Sequence, residues 1–226
     1  MPKTIRVIPV DAAMHLVNRG NNRQYLFNND TDKLRYYSLM LELKQENSIS
    51  IFHYCLMDNH PHLLVWLNNQ SKLSKFMQQL SLSYYSYYKK TYGYVGHLWQ
   101  GRFKSNIIDT DSYLLMCGKY IELNPVRARI VSQPQDYLFS SYKFYAYGKP
   151  DSLLTPSPVY LGLSASPEAR KEQYIEFIVE GSIINRQRLD KQQFIGNQTF
   201  IRKSEQFFYG VKNEPLKHGR PKKLKK

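Results

Sequence analysis

The sequence predicts an α+β domain: an antiparallel sheet with helices mainly on one face, followed by a helical extension and a basic tail. Three observations predict it. Short β-rich runs alternate with longer helical stripes as far as Asn124. An Asp58-Asn59 turn signal joins two of the β-rich runs directly. After about Lys149 the strand pattern ends, and prolines and then lysines take over.

Each element has its own signal. Ala12 to Gly20 reads as a strand that ends at the turn-forming Gly20-Asn21-Asn22. Asp30 is placed as the N-cap of a helix over Thr31 to Asn47, with Leu34, Tyr37 and Leu41 at helical spacing. Ile49 to Met57 and His60 to Leu67 read as a hairpin. Leu73, Phe76, Met77, Leu80, Tyr84, Tyr87 and Tyr88 form the stripe of a second helix, punctuated by Gly93 and Gly96. Phe103 to Asp109 is the fourth strand. A third helix begins after Asp111-Ser112 and is predicted to stop near Asn124, because Pro125 pushes its predecessor out of the α region. The order β-α-β-β-α-β, then α, is the split-βαβ, ferredoxin-like arrangement.

Beyond Lys149, Pro150, Pro156 and Pro158 interrupt a loop-like stretch, and Ser166-Pro167-Glu168 carries the signature of a helix start. The division expected is a core domain over 1–149, a helical segment over 150–210 and a basic tail over 211–226.

Composition narrows the function. Across 226 residues, 32 Lys and Arg stand against 18 Asp and Glu, a net charge of +14. A chain this basic is suited to a polyanion, either nucleic acid or an anionic membrane surface. Two cysteines, Cys55 and Cys117, exclude a disulfide-rich secreted scaffold and a four-cysteine zinc site. No apolar run approaches the roughly 18 residues of a spanning helix. The first ten residues carry Lys3, Arg6, Pro2 and Pro9 without the apolar core of a signal peptide. The expected setting is cytoplasmic, with reduced thiols, and nucleoid-associated if the host is bacterial.

Two stretches carry chemistry. In Asn59-His60-Pro61-His62 the histidines are two apart, so a strand puts both imidazoles on one face. Two convergent imidazoles can hold a divalent cation and leave positions open for substrate oxygens. They can equally be ordinary half-exposed residues of a sheet. Tyr120 and Asn124 are four apart, so a helix puts a phenol and an amide on one face. The plainer reading is a packing tyrosine, one of 19, and an amide that closes the helix before Pro125. Tyr84, Tyr85, Tyr87 and Tyr88 are read as packing or base-stacking groups.

In combination these stretches resemble the IS200/IS605-type single-tyrosine transposases, specifically the REP-associated tyrosine transposase branch. The resemblance rests on Asn18-Arg19-Gly20-Asn21-Asn22, Tyr54-Cys55-Leu56-Met57, Asn59-His60-Pro61-His62-Leu63-Leu64, Leu98-Trp99-Gln100-Gly101-Arg102-Phe103-Lys104 and Tyr120-Ile121-Glu122-Leu123-Asn124-Pro125-Val126-Arg127-Ala128. These occur in family order over roughly residues 12 to 145, with Pro61 where relatives usually place an aliphatic residue. The resemblance implies an HUH nuclease domain in which His60 and His62 are metal ligands, Tyr120 is the nucleophile and Asn124 is a further ligand. It implies Mg²⁺ or Mn²⁺ as cofactor and a 5′-phosphotyrosine intermediate. The implied substrate is single-stranded DNA or hairpins of repetitive extragenic palindromes, with action in monomeric form expected and a dimer the alternative.

A tyrosine has an ordinary pKa near 10 and needs activation, for which Lys119 and Arg127 are the neighbours by position. Arg19, Arg102, Lys104, Arg127 and Arg129 are candidate phosphate contacts, and Trp99 and Phe103 candidate stacking groups or core. In the tail, His218-Gly219-Arg220-Pro221-Lys222-Lys223 resembles an AT-hook core, so Arg220, Lys222 and Lys223 are candidate DNA contacts, specific or merely electrostatic. Two other readings stay open. One is a catalytically inactive ferredoxin-like nucleic-acid-binding module. The other is a structural zinc site built from His53, Cys55, His60 and His62.

Overall fold

Strands that are apolar at nearly every position must be covered on both faces, and Ser50–Met57 and His60–Leu67 are such strands. The computed structural model describes residues 7–109, 112–180 and 192–209. In it β1 (Ala12–Val17), β2 (Ser50–Met57), β3 (His60–Leu67) and β4 (Lys104–Ile108) pair antiparallel in the order β2-β3-β1-β4. This is the ferredoxin-like strand order that the element sequence implies. A short β5 (Phe194–Ile195) extends the sheet parallel to β4, with Ile107 donating to the Gln193 carbonyl and Asp109 to that of Ile195, each at 2.7 Å.

Helices α1 (Asp30–Glu46) and α2 (Leu73–Tyr92) share one face, as expected. There Tyr36, Met40, Phe76, Leu80 and Tyr84 meet Met14, Leu16, Leu56, Leu63 and Val65. The third helix, α3 (Ser112–Glu122), lies on the opposite face, where Leu114, Cys117, Tyr120 and Ile121 pack on Ala13, Cys55, Leu64 and Ile108. Its outer side is covered in turn by α5 (Tyr142–Tyr147), α6 (Pro158–Leu161) and α7 (Pro167–Val179), through Leu115 with Tyr142, Tyr145, Tyr160, Tyr174 and Ile178. The helix carrying Tyr120 is therefore held between the sheet and the helical extension.

Local chemistry sets the boundaries. The cap of α1 is Asn29, whose side chain accepts from the Asp32 amide, and Asp30 opens the helix one residue earlier than expected. Asp32 itself is buried and accepts from the hydroxyls of Tyr87 and Tyr92, so part of the tyrosine stripe on α2 is structural. Gly93 ends α2 in the left-handed region at φ 62°. Helix α3 stops at Glu122, and Pro125 then enters the first turn of a short α4 (Asn124–Arg127), where its missing N–H is no loss. Ser166 caps α7 with Pro167 at the first helical position, as its signature predicts.

Residues just past the proline-rich break are tied to the core. Asp151 accepts from Tyr37 at 2.6 Å and Tyr54 at 2.9 Å, and the Thr155 amide donates to the Ile51 carbonyl at 2.8 Å. The last described element is α8 (Gln198–Tyr209), which packs Phe200 and Phe208 against the α1/α2 side of the core. Among the described residues no helix is long and apolar enough to cross a membrane.

Candidate active site

The β2–β3 turn and the pleat of β3 set the two histidines. His60 and His62 point to the α3 face, their rings 4.7 Å apart between centroids and 69° to one another. Pro61 sits between them as the second residue of the strand, near the end where proline is tolerated. Each imidazole is oriented from behind. The His60 Nδ1 lies 2.5 Å from the Asn59 side-chain oxygen, and the His62 Nδ1 lies 2.9 Å from Nε2 of His15. With the proton on Nδ1, a ring held in this way turns Nε2 toward a metal, the usual state of a metal-binding histidine.

His15 escaped the sequence reading. On β1 it is diagonal to His62, because Val17 pairs with His62 and His15 with Leu64. Its ring is buried and nearly coplanar with that of His62, the centroids 5.1 Å apart and the planes at 6°. A lone histidine in a strand carries no signal until the β1–β3 register is known.

Helix α3 brings Tyr120 over the same face. Its ring is edge-on to His62, at 5.8 Å and 83°, and to His15, at 6.0 Å and 81°. The Arg127 guanidinium, from α4, stands 4.8 Å from the centre of the Tyr120 ring. Tyr120 is buried, yet it borders a cavity of about 420 Å³ together with His60, His62, Asn124 and Arg127. Arg19, Arg102 and Lys104 line the same cavity, as do Gln100 and Asn106. The turn after Arg19 has a glycine for a steric reason: a Cβ on Gly20 would lie 2.3 Å from the Gln24 carbonyl oxygen.

Other expected residues take different places. Arg129 is exposed just beyond α4 and outside the cavity lining. Lys119 does not serve Tyr120: its ammonium turns to α7, donating to the carbonyls of Phe177, at 2.6 Å, and Glu180. The Trp99 ring packs beside Tyr36 and Tyr84, its N–H donating to the Ser81 carbonyl, and Phe103 also packs on that core. The tail residues Arg220, Lys222 and Lys223 lie outside the described residues.

Asn124 fills the role of helix closer. Its amide nitrogen donates to the carbonyls of Tyr120 at 2.8 Å and Ile121 at 3.2 Å, which leaves the amide oxygen as its acceptor at the cavity. Among the described residues no three His, Cys, Asp or Glu side chains come together to hold a metal ion. The zinc reading fails on particulars too. His53 is engaged by Glu122 at 2.9 Å instead of turning to the other three residues. Two imidazoles with oriented Nε2 atoms and one amide oxygen do fit an open site completed by water and phosphate oxygens.

The chain belongs to the IS200-like transposase family, whose model ("Transposase IS200 like") matches residues 10–124, a span that runs from β1 to Asn124. Among solved structures, a REP-associated tyrosine transposase bound to a REP hairpin is similar in fold, with a TM-score of 0.56 at 19% identity over 70% of this chain and 93% of that one. A candidate transposase from Deinococcus radiodurans R1 has a TM-score of 0.37 at 16% identity, over 57% and 92%. No curated protein is matched.

Proposed function

We propose that this chain is a metal-dependent single-strand DNA endonuclease and transesterase of the REP-associated branch, which nicks and rejoins DNA at palindromic repeat hairpins. The observation that carries the reading is the placement of Tyr120 edge-on to His62 and beneath Arg127, in one cavity with a basic lining.

A phosphodiester repels nucleophiles by its charge. His60 and His62, with the Asn124 amide oxygen, would hold Mg²⁺ or Mn²⁺, which when bound neutralises a non-bridging phosphate oxygen. Tyr120 supplies the nucleophile. Its oxygen forms the new P–O bond as the bond to the departing 3′-oxygen breaks, and that oxygen leaves as a 3′-hydroxyl after taking up a proton. The Arg127 guanidinium, close to the ring, favours the phenolate over the phenol. Arg19, Arg102 and Lys104 hold the strand by its phosphates along the cavity wall. The resulting 5′-phosphotyrosine conserves the energy of the cut bond, so a second 3′-hydroxyl can reverse the step and join strands. Hairpin DNA as the substrate is supported by the REP hairpin bound to the similar structure. Tyr120 and His62 meet within one chain, which supports action as a monomer.

The test is incubation with a labelled repeat hairpin and Mn²⁺, followed by a denaturing gel. A protein-linked strand is expected from the native chain and none from Tyr120→Phe, which should still bind the hairpin. An adduct that survives Tyr120→Phe removes the assignment.

A further inference from the structure

Helix α3 has a second polar side. Residues two apart on a helix are about 200° apart around the axis, so Glu122 faces away from Tyr120. Lys119, three before it, shares its side. Glu122 is fully buried, and its carboxylate gathers donors from three separate parts of the chain. Oε1 accepts from His53 of β2 at 2.9 Å and from the Ser141 hydroxyl at 2.5 Å, and Oε2 accepts from the Tyr174 hydroxyl of α7 at 2.7 Å. His53 is stacked on Tyr145 at 4.3 Å, and Tyr145 packs against Tyr174 at 5.2 Å. One turn earlier, Lys119 reaches the carbonyls at the end of α7 and lies over the Phe177 ring at 4.9 Å.

None of these groups lines the Tyr120 cavity. A buried carboxylate costs heavily in desolvation unless it is fully paired, and an apolar residue would fill the same space without that cost. A packing role alone therefore gives no reason for it, whereas bonds in three directions fix where α3 sits and how it is rotated.

We propose that Glu122 is a positioning residue: with Lys119 it makes the helical extension a clamp that holds Tyr120 of the same chain in register over His60 and His62. The idea rests on Tyr120 being the nucleophile. It adds that residues 141–180, outside the segment shared with the family model, set the rate of the covalent step without touching DNA.

The test uses the full chain carrying Glu122→Gln or, more gently, Tyr174→Phe. The Gln variant turns one acceptor into a donor that faces donors. The Phe variant keeps the ring and loses one hydrogen bond. Hairpin affinity, the single-turnover rate of adduct formation and hydrogen exchange across α3 are measured at a temperature where both variants remain folded by circular dichroism. The expected result for Glu122→Gln is a rate lowered tenfold or more with hairpin affinity within twofold, and faster exchange in 112–124 while α1 and α2 stay protected. Tyr174→Phe should follow with a smaller loss of rate, about threefold. An unchanged rate, or rate and affinity falling in the same proportion, overturns the clamp. So does unchanged exchange in α3, a readout that holds even if the native chain forms no adduct. Absence of adduct from the native chain is instead a failure of the proposed nuclease activity.

Discussion

Replacing Gly118 by alanine probes how closely α3 is seated on the sheet. A Cβ there would lie 2.6 Å from two atoms of the His53 ring and 2.9 Å from a third. Ordinary contact begins at 3.4 Å, so helix or ring must yield by about 0.8 Å. The ring has little room to do so, being fully buried, stacked on Tyr145 and bonded to Glu122. Alanine in a helix is favoured over glycine by about 1 kcal/mol. Overpacking costs roughly 1–3 kcal/mol, and lengthening a charge-assisted hydrogen bond adds about 1–2 kcal/mol. The balance is a loss of about 1–4 kcal/mol. At roughly 2–4 °C per kcal/mol for a chain of this size, melting should fall by about 2 to 16 °C. Thermal melts and denaturant midpoints of the two proteins give the answer. An equal or higher melting temperature for Gly118→Ala would refute the close approach, and with it the fixed seating of the tyrosine helix.

Truncating Arg127 to alanine should slow adduct formation about tenfold, equivalent to about 1.4 kcal/mol of phenolate stabilisation by the neighbouring positive charge; single-turnover nicking measures it, and a native rate would remove Arg127 from the activation of Tyr120. Stability should also fall at alkaline pH. Burial holds the phenols of Tyr36, Tyr54, Tyr84, Tyr145 and Tyr174 above the ordinary tyrosine value, with Asp151, Asp32 and Glu122 adding to the effect for Tyr54, Tyr84 and Tyr174 respectively. The folded chain thus keeps protons that the unfolded chain releases near pH 10, so this contribution is whole below that pH and is lost as pH rises toward the folded values. Denaturant midpoints from about pH 8 to 11 should decline past 10, and a flat profile would contradict the burial of these phenols.

The order of elements was legible in the chain because strands and helices differ in period, and because Gly93, Pro125 and Ser166 mark their ends. The pairing of His60 with His62 needed only the two-residue period of a strand, and that of Tyr120 with Asn124 only a helical turn. What lay beyond reach depended on how elements dock. Periodicity shows that α3 has an apolar side, not which face of the sheet it covers, and α3 has contacts on both sides. Lys119 sits next to Tyr120 in sequence but not in space, because adjacent residues on a helix diverge by about 100°. His15 became visible only through strand register, and the partners of Glu122 only through tertiary packing that brings together residues 53, 122, 141 and 174.

The short β5 has a consequence for the order in which the domain can be completed on the ribosome. It is made of residues 194 and 195, yet it pairs with Ile107 and Ile108 at the end of β4, while Asn106 also donates to the Gln192 carbonyl. The wall of the cavity that carries Asn106 is thus tied to a segment that emerges 86 residues later. Until then its margin is an open template for a stray strand, so trimming the protein back to the family-matched segment would bare the very side of the sheet that DNA is proposed to approach.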